Sequence, residues 1–280
     1  MGAHLVPFAC FSILLTTPPA WHPSDSAAAK RQHSRWLAEI DNIQRFSAVA
    51  TFRAVDDCGD VKACDIAMRW RKKPLSLYAR VVTPTRFGGT ELLWSARENK
   101  NRVLAHSPPR GTFSVGPMWF APDSAVVRKV VPVRVDSMDF RSIIQNTWQQ
   151  VRHEDSTRFE LARYAGTSHY HLKVRQETDD GHAIVITFLH RDQLGFPTHI
   201  RVSKTSNQGG RITQVVWSVA FDNVNTSPTF DDLTFSLRNA EYGLCHLGKR
   251  RVASEEDLPL GKTPATGQKA RVQKKKETDE

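Results

Sequence analysis

This chain of 280 residues has few of the local signatures on which most enzymes depend. No glycine-rich loop cradles a phosphate: Gly88-Gly89 is too short and reads as a turn. No nucleophile elbow places a serine on a tight strand-to-helix turn, so a Ser/His/Asp triad has no frame. Asp56, Asp57, Asp60 and Asp65 cluster without the ordered ligand spacing of a calcium loop, and read as turn chemistry. There is no recognition helix, zinc finger or aromatic RNA-binding strand motif, which argues against a nucleic-acid partner. The longest N-terminal apolar run, residues 5–20, falls short of the about 20 residues of a membrane span.

That run, LVPFACFSILLTTPPA, has instead the length of a secretory signal core, although Met1 to His4 carries no Lys or Arg. Small-residue cleavage sites follow Ala20 and Ala29, and residues 1–29 are read as the leader of an exported protein. Four cysteines are present, and Cys10 is lost with the leader. Cys58 and Cys64 bracket Gly-Asp-Val-Lys-Ala between two strand-like segments, a spacing that staples a hairpin in an oxidising compartment. A metal site there lacks a second Cys/His pair, and Cys245 is left as a small buried residue. The net charge is +10, of which residues 249–280 supply nine Lys/Arg against six Asp/Glu, or +3. The body therefore carries +7, a solvated surface that also suits an anionic membrane surface or polymer. The last stretch, 249–280, is polar and Lys-rich, and is read as a disordered tail.

Between these ends, periodicity organises residues 30–248 into one domain. Trp36, Leu37, Ile40 and Ile43 recur at helical spacing. Period two then takes over: Phe46, Ala48, Ala50, Phe52; Ile66, Met68, Trp70; Leu75, Leu77, Ala79, Val81; Leu92, Trp94, Ala96. Such alternation predicts antiparallel strands with one face wet. Short candidates follow at 103–106 and 113–120. Ile143, Ile144, Thr147, Trp148 and Val151 restore a helical stripe over 136–153. Strands resume at 157–165, 168–176, 182–191, 197–205 and 211–223, split by turns such as Asp179-Asp180-Gly181. Pro228 to Leu237 reads as a capping turn. The expected fold is α+β: a curled antiparallel sheet of about ten to eleven strands, an incomplete β-barrel, with helices on its concave face.

Two constellations compete for a site. His169 and His171, with Glu177, share parity on one strand and would suit a metal-dependent, cupin-like enzyme. They alternate with Tyr170, Leu172 and Val174, however, and so fall on a solvated face, and the further ligand histidine and glycines of such a site are missing. The inward residues Phe46, Phe52, Trp70, Leu77, Trp94, Phe188, Trp217 and Phe221 either fill a core or line a cavity for an apolar ligand.

The stretches MRWRKKPLSLYARVVTP, GTELLWSARENKNRVLAH, APDSAVVRKVVPVRVDSMDFRSIIQ, HRDQLGFPTHIRV and FDNVNTSPTFDDLTFSL, spanning Arg45 to Leu237, carry a family resemblance. The chain resembles the LolA/LolB-type lipoprotein carriers, and more closely an uncharacterised bacterial family placed near them. The resemblance implies an exported, non-enzymatic protein of the periplasm or cell envelope, without a cofactor, that holds a lipid or lipoprotein acyl chain in a half-barrel. An envelope scaffold with a filled barrel and a basic surface is the alternative. The Cys58/Cys64 hairpin and the Lys-rich tail depart from the carriers.

Overall fold

A computed structural model describes residues 20–55, 60–84, 87–95, 102–108, 117–131, 133–151, 156–178, 181–206, 212–231, 233–236, 238–239, 241–242 and 253–254. In chain order the elements are β1 (His22–Ser24), α1 (Ser26–Asp41), β2 (Arg45–Val55), β3 (Val61–Arg71), β4 (Ser76–Thr83), β5 (Glu91–Ser95), β6 (Val103–His106) and β7 (Met118–Phe120). Then come α2 (Ala125–Val130), a short 3-10 turn (Val135–Ser137), α3 (Phe140–Trp148), β8 (Thr157–Arg163), β9 (Tyr170–Glu177), β10 (His182–Leu189), β11 (His199–Ser206), β12 (Ile212–Asn225) and β13 (Ala253–Ser254).

The thirteen strands among the described residues belong to one open sheet, ordered β1-β8-β9-β10-β11-β12-β2-β3-β4-β5-β6-β7-β13. Every pairing is antiparallel except the two-residue contact of β13 with β7. The α+β curled sheet expected from the alternation is therefore present, with slightly more strands than expected. The additions are too short to show a period: β1 has three residues and β13 two. Two meanders, β2 to β7 and β8 to β12, are joined in the middle where β12 pairs with β2. Before β10, Gly181 has φ +75° and its N–H bonds the Thr178 carbonyl at 3.1 Å; Asp179 and Asp180 of the expected turn lie outside the described residues.

Sequence sets both major helices in place. Asp25 caps α1 by accepting from the Ala28 N–H, and Ala29, Gln32, His33, Trp36 and Ile40 form its buried stripe. Asp139 caps α3 by accepting from the Ser142 N–H, and Phe140, Ile143, Ile144, Thr147 and Trp148 are buried. The two helices meet where His33 stacks on Trp148, ring centroids 4.5 Å apart. They cover the inner face, where Phe46, Ala50, Phe52, Ile66, Met68, Leu77, Leu92, Phe188 and Val219 lie in one core.

The outer face is not uniformly wet. On β4, β5 and β6 it is buried as well, because Tyr78, Leu93 and Leu104 pack against Phe235 and Tyr242 of the chain that follows β12. The expected capping turn over 228–237 is thus a flap laid on the sheet. Tyr242 stacks flat on Tyr78, centroids 3.8 Å apart, and donates its hydroxyl to the Thr234 carbonyl at 2.6 Å. The basic step after Met68 anchors this flap: Arg69 donates to the Tyr242 hydroxyl at 3.3 Å, and the Arg71 guanidinium lies 4.7 Å from the Phe235 ring.

Candidate ligand site between the sheet and the helices

The inward aromatics are arranged in rows by the register of the sheet. Phe46 on β2 faces Trp70 on β3, which faces Leu77 on β4, which faces Trp94 on β5. The row continues through Val103 to Phe120. A second row runs Phe188, Ile200, Val219, Phe52 and Cys64 across β10, β11, β12, β2 and β3. Phe221 lies 6.5 Å from Phe52 of the second row, centroid to centroid. Seven of the eight sequence-selected residues are buried in the common core; Trp217 is half-buried at its margin.

The residue that knits them together is one that strand alternation does not single out. Phe140, at the first position of α3, lies 4.3 Å from Phe46, 4.9 Å from Phe196 and 4.6 Å from Phe221, ring centre to ring centre. Its signal is nonetheless in the sequence: positions 140, 143, 144, 147 and 148 form one helical stripe, and Phe140 begins it. Trp36 of α1 plays the matching part over β10, 5.4 Å from Phe188.

Beside Phe140 lies a small apolar cavity of about 50 Å³, lined by Ile40, Ile43, Phe46, Trp70 and Phe140 with the charged rim Asp41, Lys72, Asp139 and Arg141. Ligand pockets commonly occupy about 300–1,000 Å³. The aromatic side chains therefore leave little free volume between α3 and the sheet. The rim is tied by charge: the Asp41 carboxylate, at the end of α1, pairs with Arg141 of α3 and lies 3.6 Å from the Lys72 ammonium beyond β3. Arg141 also bears on His33, whose pKa falls to about 4, first through burial and then through that guanidinium.

The other candidates resolve differently. His171 is buried rather than solvated: its Nδ1 accepts from the His190 backbone N–H at 3.0 Å, and its ring lies 5.3 Å from Tyr164. His169 stacks on His190 at 5.3 Å. Glu177 does not join them; it sits at the far end of β9, bonded to Arg175 at 3.2 Å. Among the described residues no three His, Cys, Asp or Glu side chains converge to hold a metal ion. Cys64 is buried on β3, and burial, with Asp65 beside it, pushes its thiol up to about 12. Its proposed partner Cys58 lies outside the described residues.

With this geometry in view, the comparison with known families is direct. The profile of a family described as protein of unknown function (DUF1571) matches residues 57–244. The chain belongs to that family. No curated protein matches it. Among solved structures it is similar to a LolA superfamily protein from Nitrosomonas europaea, at 11% identity and a TM-score of 0.38 over 73% of this chain and 97% of that one. It is similar also to the lipoprotein LppX of Mycobacterium tuberculosis, at 8% identity and a TM-score of 0.38 over 74% of this chain and 100% of that one. An uncharacterized conserved protein from Thermus thermophilus gives 8% identity and a TM-score of 0.38 over 74% of this chain and 92% of that one. The expected resemblance to an uncharacterised family is what the family match returns, and a LolA superfamily protein is among the similar structures.

Proposed function

We propose that this DUF1571 protein is an exported, non-enzymatic binding protein of the cell envelope, which takes a lipid or lipoprotein acyl chain between α3 and the sheet. The observation that carries the reading is Phe140: one aromatic side chain on a nine-residue helix fills the space between Phe46, Phe196 and Phe221, beside an apolar cavity with a charged rim. The ligand enters as the Asp41 ion pair, a latch in this proposal, parts and α3 lifts Phe140 out. Removing a buried Phe costs about 3–5 kcal/mol. Each methylene buried in exchange returns about 0.8 kcal/mol, so a chain needs roughly four to six carbons before binding breaks even. Long acyl chains bind; short ones do not.

In this proposal cleavage after Ala20 releases the mature chain, because β1 and the first turn of α1 already lie within residues 22–29. No described helix is long and apolar enough to cross a membrane. The test is uptake of a fluorescent long-chain fatty acid by purified protein, with native mass spectrometry for co-purified amphiphile. Asp41→Asn, which opens the latch, speeds uptake while changing stability by less than about 1 kcal/mol, since the pair is half-exposed. Absence of uptake by both wild type and Asp41→Asn, with no amphiphile in the mass spectrum, would refute the carrier reading. The small cavity favours a second reading, an envelope interaction protein with a filled barrel, and that negative outcome is the result it expects.

A further inference from the structure

We propose that the outer face of the sheet, where β11, β12 and β2 run side by side, is a binding site for a phosphate-bearing ligand, either a free organic phosphate or a phospholipid headgroup. The site is a cleft of about 720 Å³ on the face opposite the helices. Its register is specific: Arg53 on β2 faces Ser218 on β12, and Ser218 faces Arg201 on β11. With strands about 4.8 Å apart, two arginines thus flank one serine with their backbones about 10 Å apart, a span over which two guanidinium forks can converge on one anion. One step along, His199 faces Ala220, and Arg191 closes the rim.

Neutralisation within the sheet is incomplete. Arg191 is paired with Asp222 at 3.4 Å. Arg201 uses its Nε to reach the Ser203 hydroxyl at 3.1 Å, and among the described residues no carboxylate pairs with it or with Arg53. Asp65, the nearest carboxylate on β3, accepts from Thr51 at 2.8 Å and from Thr83 at 2.6 Å. Among the described residues the lining thus holds three arginines against one aspartate. Like charges within about a Debye length, roughly 8–10 Å, repel, and an anion seated between the two arginines offsets that repulsion. His199 registers the same field: burial first, then Arg191 and Arg201, lower its pKa to about 4, so it is neutral at pH 7 and able to share a proton with a phosphate oxygen. Val55 and Val61 line the same cleft and give it an apolar wall, which suits an organic phosphate better than a bare ion.

The site lies across the sheet from the apolar one, and the proposal stands or falls independently of it. The test uses the full chain with two probes, glycerol phosphate and vesicles of phosphatidylcholine with or without phosphatidylglycerol. Glycerol phosphate is expected to bind and to raise the His199 pKa, read from its imidazole proton resonance, because the bound anion offsets the arginines. Arg53→Ala weakens binding about tenfold, Arg53→Ala/Arg201→Ala about a hundredfold, and the double variant loses the ligand-induced shift. Arg53→Gln/Arg201→Gln serves as a second pair that keeps side-chain bulk. Arg158→Ala on β8 removes the same charge away from the cleft and leaves binding unchanged. Binding of glycerol phosphate alone identifies a free organic phosphate as the source, and binding of phosphatidylglycerol vesicles alone identifies a headgroup. Failure of both probes to bind, or equal weakening by Arg158→Ala, would overturn the proposal.

Discussion

Substituting Phe140 by alanine tests whether the inner core is a plugged ligand site or simply a core. The side chain is 2% exposed and touches three aromatic rings within 5 Å, so its truncation removes transfer free energy and leaves a void. Large-to-small changes of this kind cost about 3–5 kcal/mol. Domains carry about 5–15 kcal/mol in all, so the variant remains folded but weakened. With a urea slope on the order of 2–3 kcal/mol/M, the midpoint falls by roughly 1–2.5 M with the slope unchanged. The void extends the existing cavity of about 50 Å³ and is lined by Phe46, Trp70, Phe196 and Phe221, all apolar. An apolar void of that kind stays dry and accepts apolar guests. Urea unfolding followed by tryptophan fluorescence, and displacement of a fluorescent fatty acid, are measured on the same sample. The expected pairing is lower stability with tighter fatty-acid binding, because the ligand no longer has to evict the plug. A stability loss below about 1 kcal/mol would contradict the packing argument. A full loss with no gain in binding would leave Phe140 as ordinary core and end the plug mechanism.

Tyr242→Phe removes the hydroxyl that bonds Thr234 and Arg69, costs about 1–2 kcal/mol, and releases the flap to limited proteolysis before the sheet unfolds; unchanged cleavage would show that stacking on Tyr78 suffices. Stability also depends on pH through histidines that burial holds neutral: His33, His190 and His199 each titrate near 4 in the fold against about 6.5 unfolded. The unfolded chain therefore binds protons first, so stability is full above about pH 6.5 and declines from there to about pH 4, which urea midpoints at several pH values would reveal. His190→Asn flattens that decline. Cys64, buried with its thiol pushed up to about 12, reacts with a thiol reagent only after unfolding if it is reduced; silence in the unfolded, non-reduced chain signals the Cys58 pairing.

The strands of the inner face were legible because each repeats its pattern over several pairs of residues; Phe46 to Phe52 and Ile66 to Trp70 are buried as their alternation predicts. The stripes of α1 and α3 were legible for the same reason. Outer-face burial on β4 to β6 was not, because Tyr78, Leu93 and Leu104 owe their cover to Phe235 and Tyr242, far along the chain. Periodicity reports a residue's own element and is silent about a segment that folds over it later. His171 was misplaced for a related reason: at the start of β9 its ring meets Tyr164, from the segment after β8, and His190, from the end of β10, which cover the nominally wet side. The basic cleft escaped notice because Arg53 and Arg201 are remote in sequence and meet only through the β12 register.

That register has a kinetic consequence. The strands at the centre of the sheet, β2 and β12, pair residues such as Ala54 and Trp217, about 160 positions apart. Each meander can form locally, but neither buries its inner face until the other arrives, and the seam between them waits for almost the whole chain. In a ribosome-bound fragment ending before Ile212, β2 is paired with β3 on one side only, and the edge that β12 later covers stands open to other chains. The last long strand is thus the one that joins the two half-sheets. Slow refolding that speeds up when β12 is supplied with β2 already folded is the kinetic signature expected of that topology.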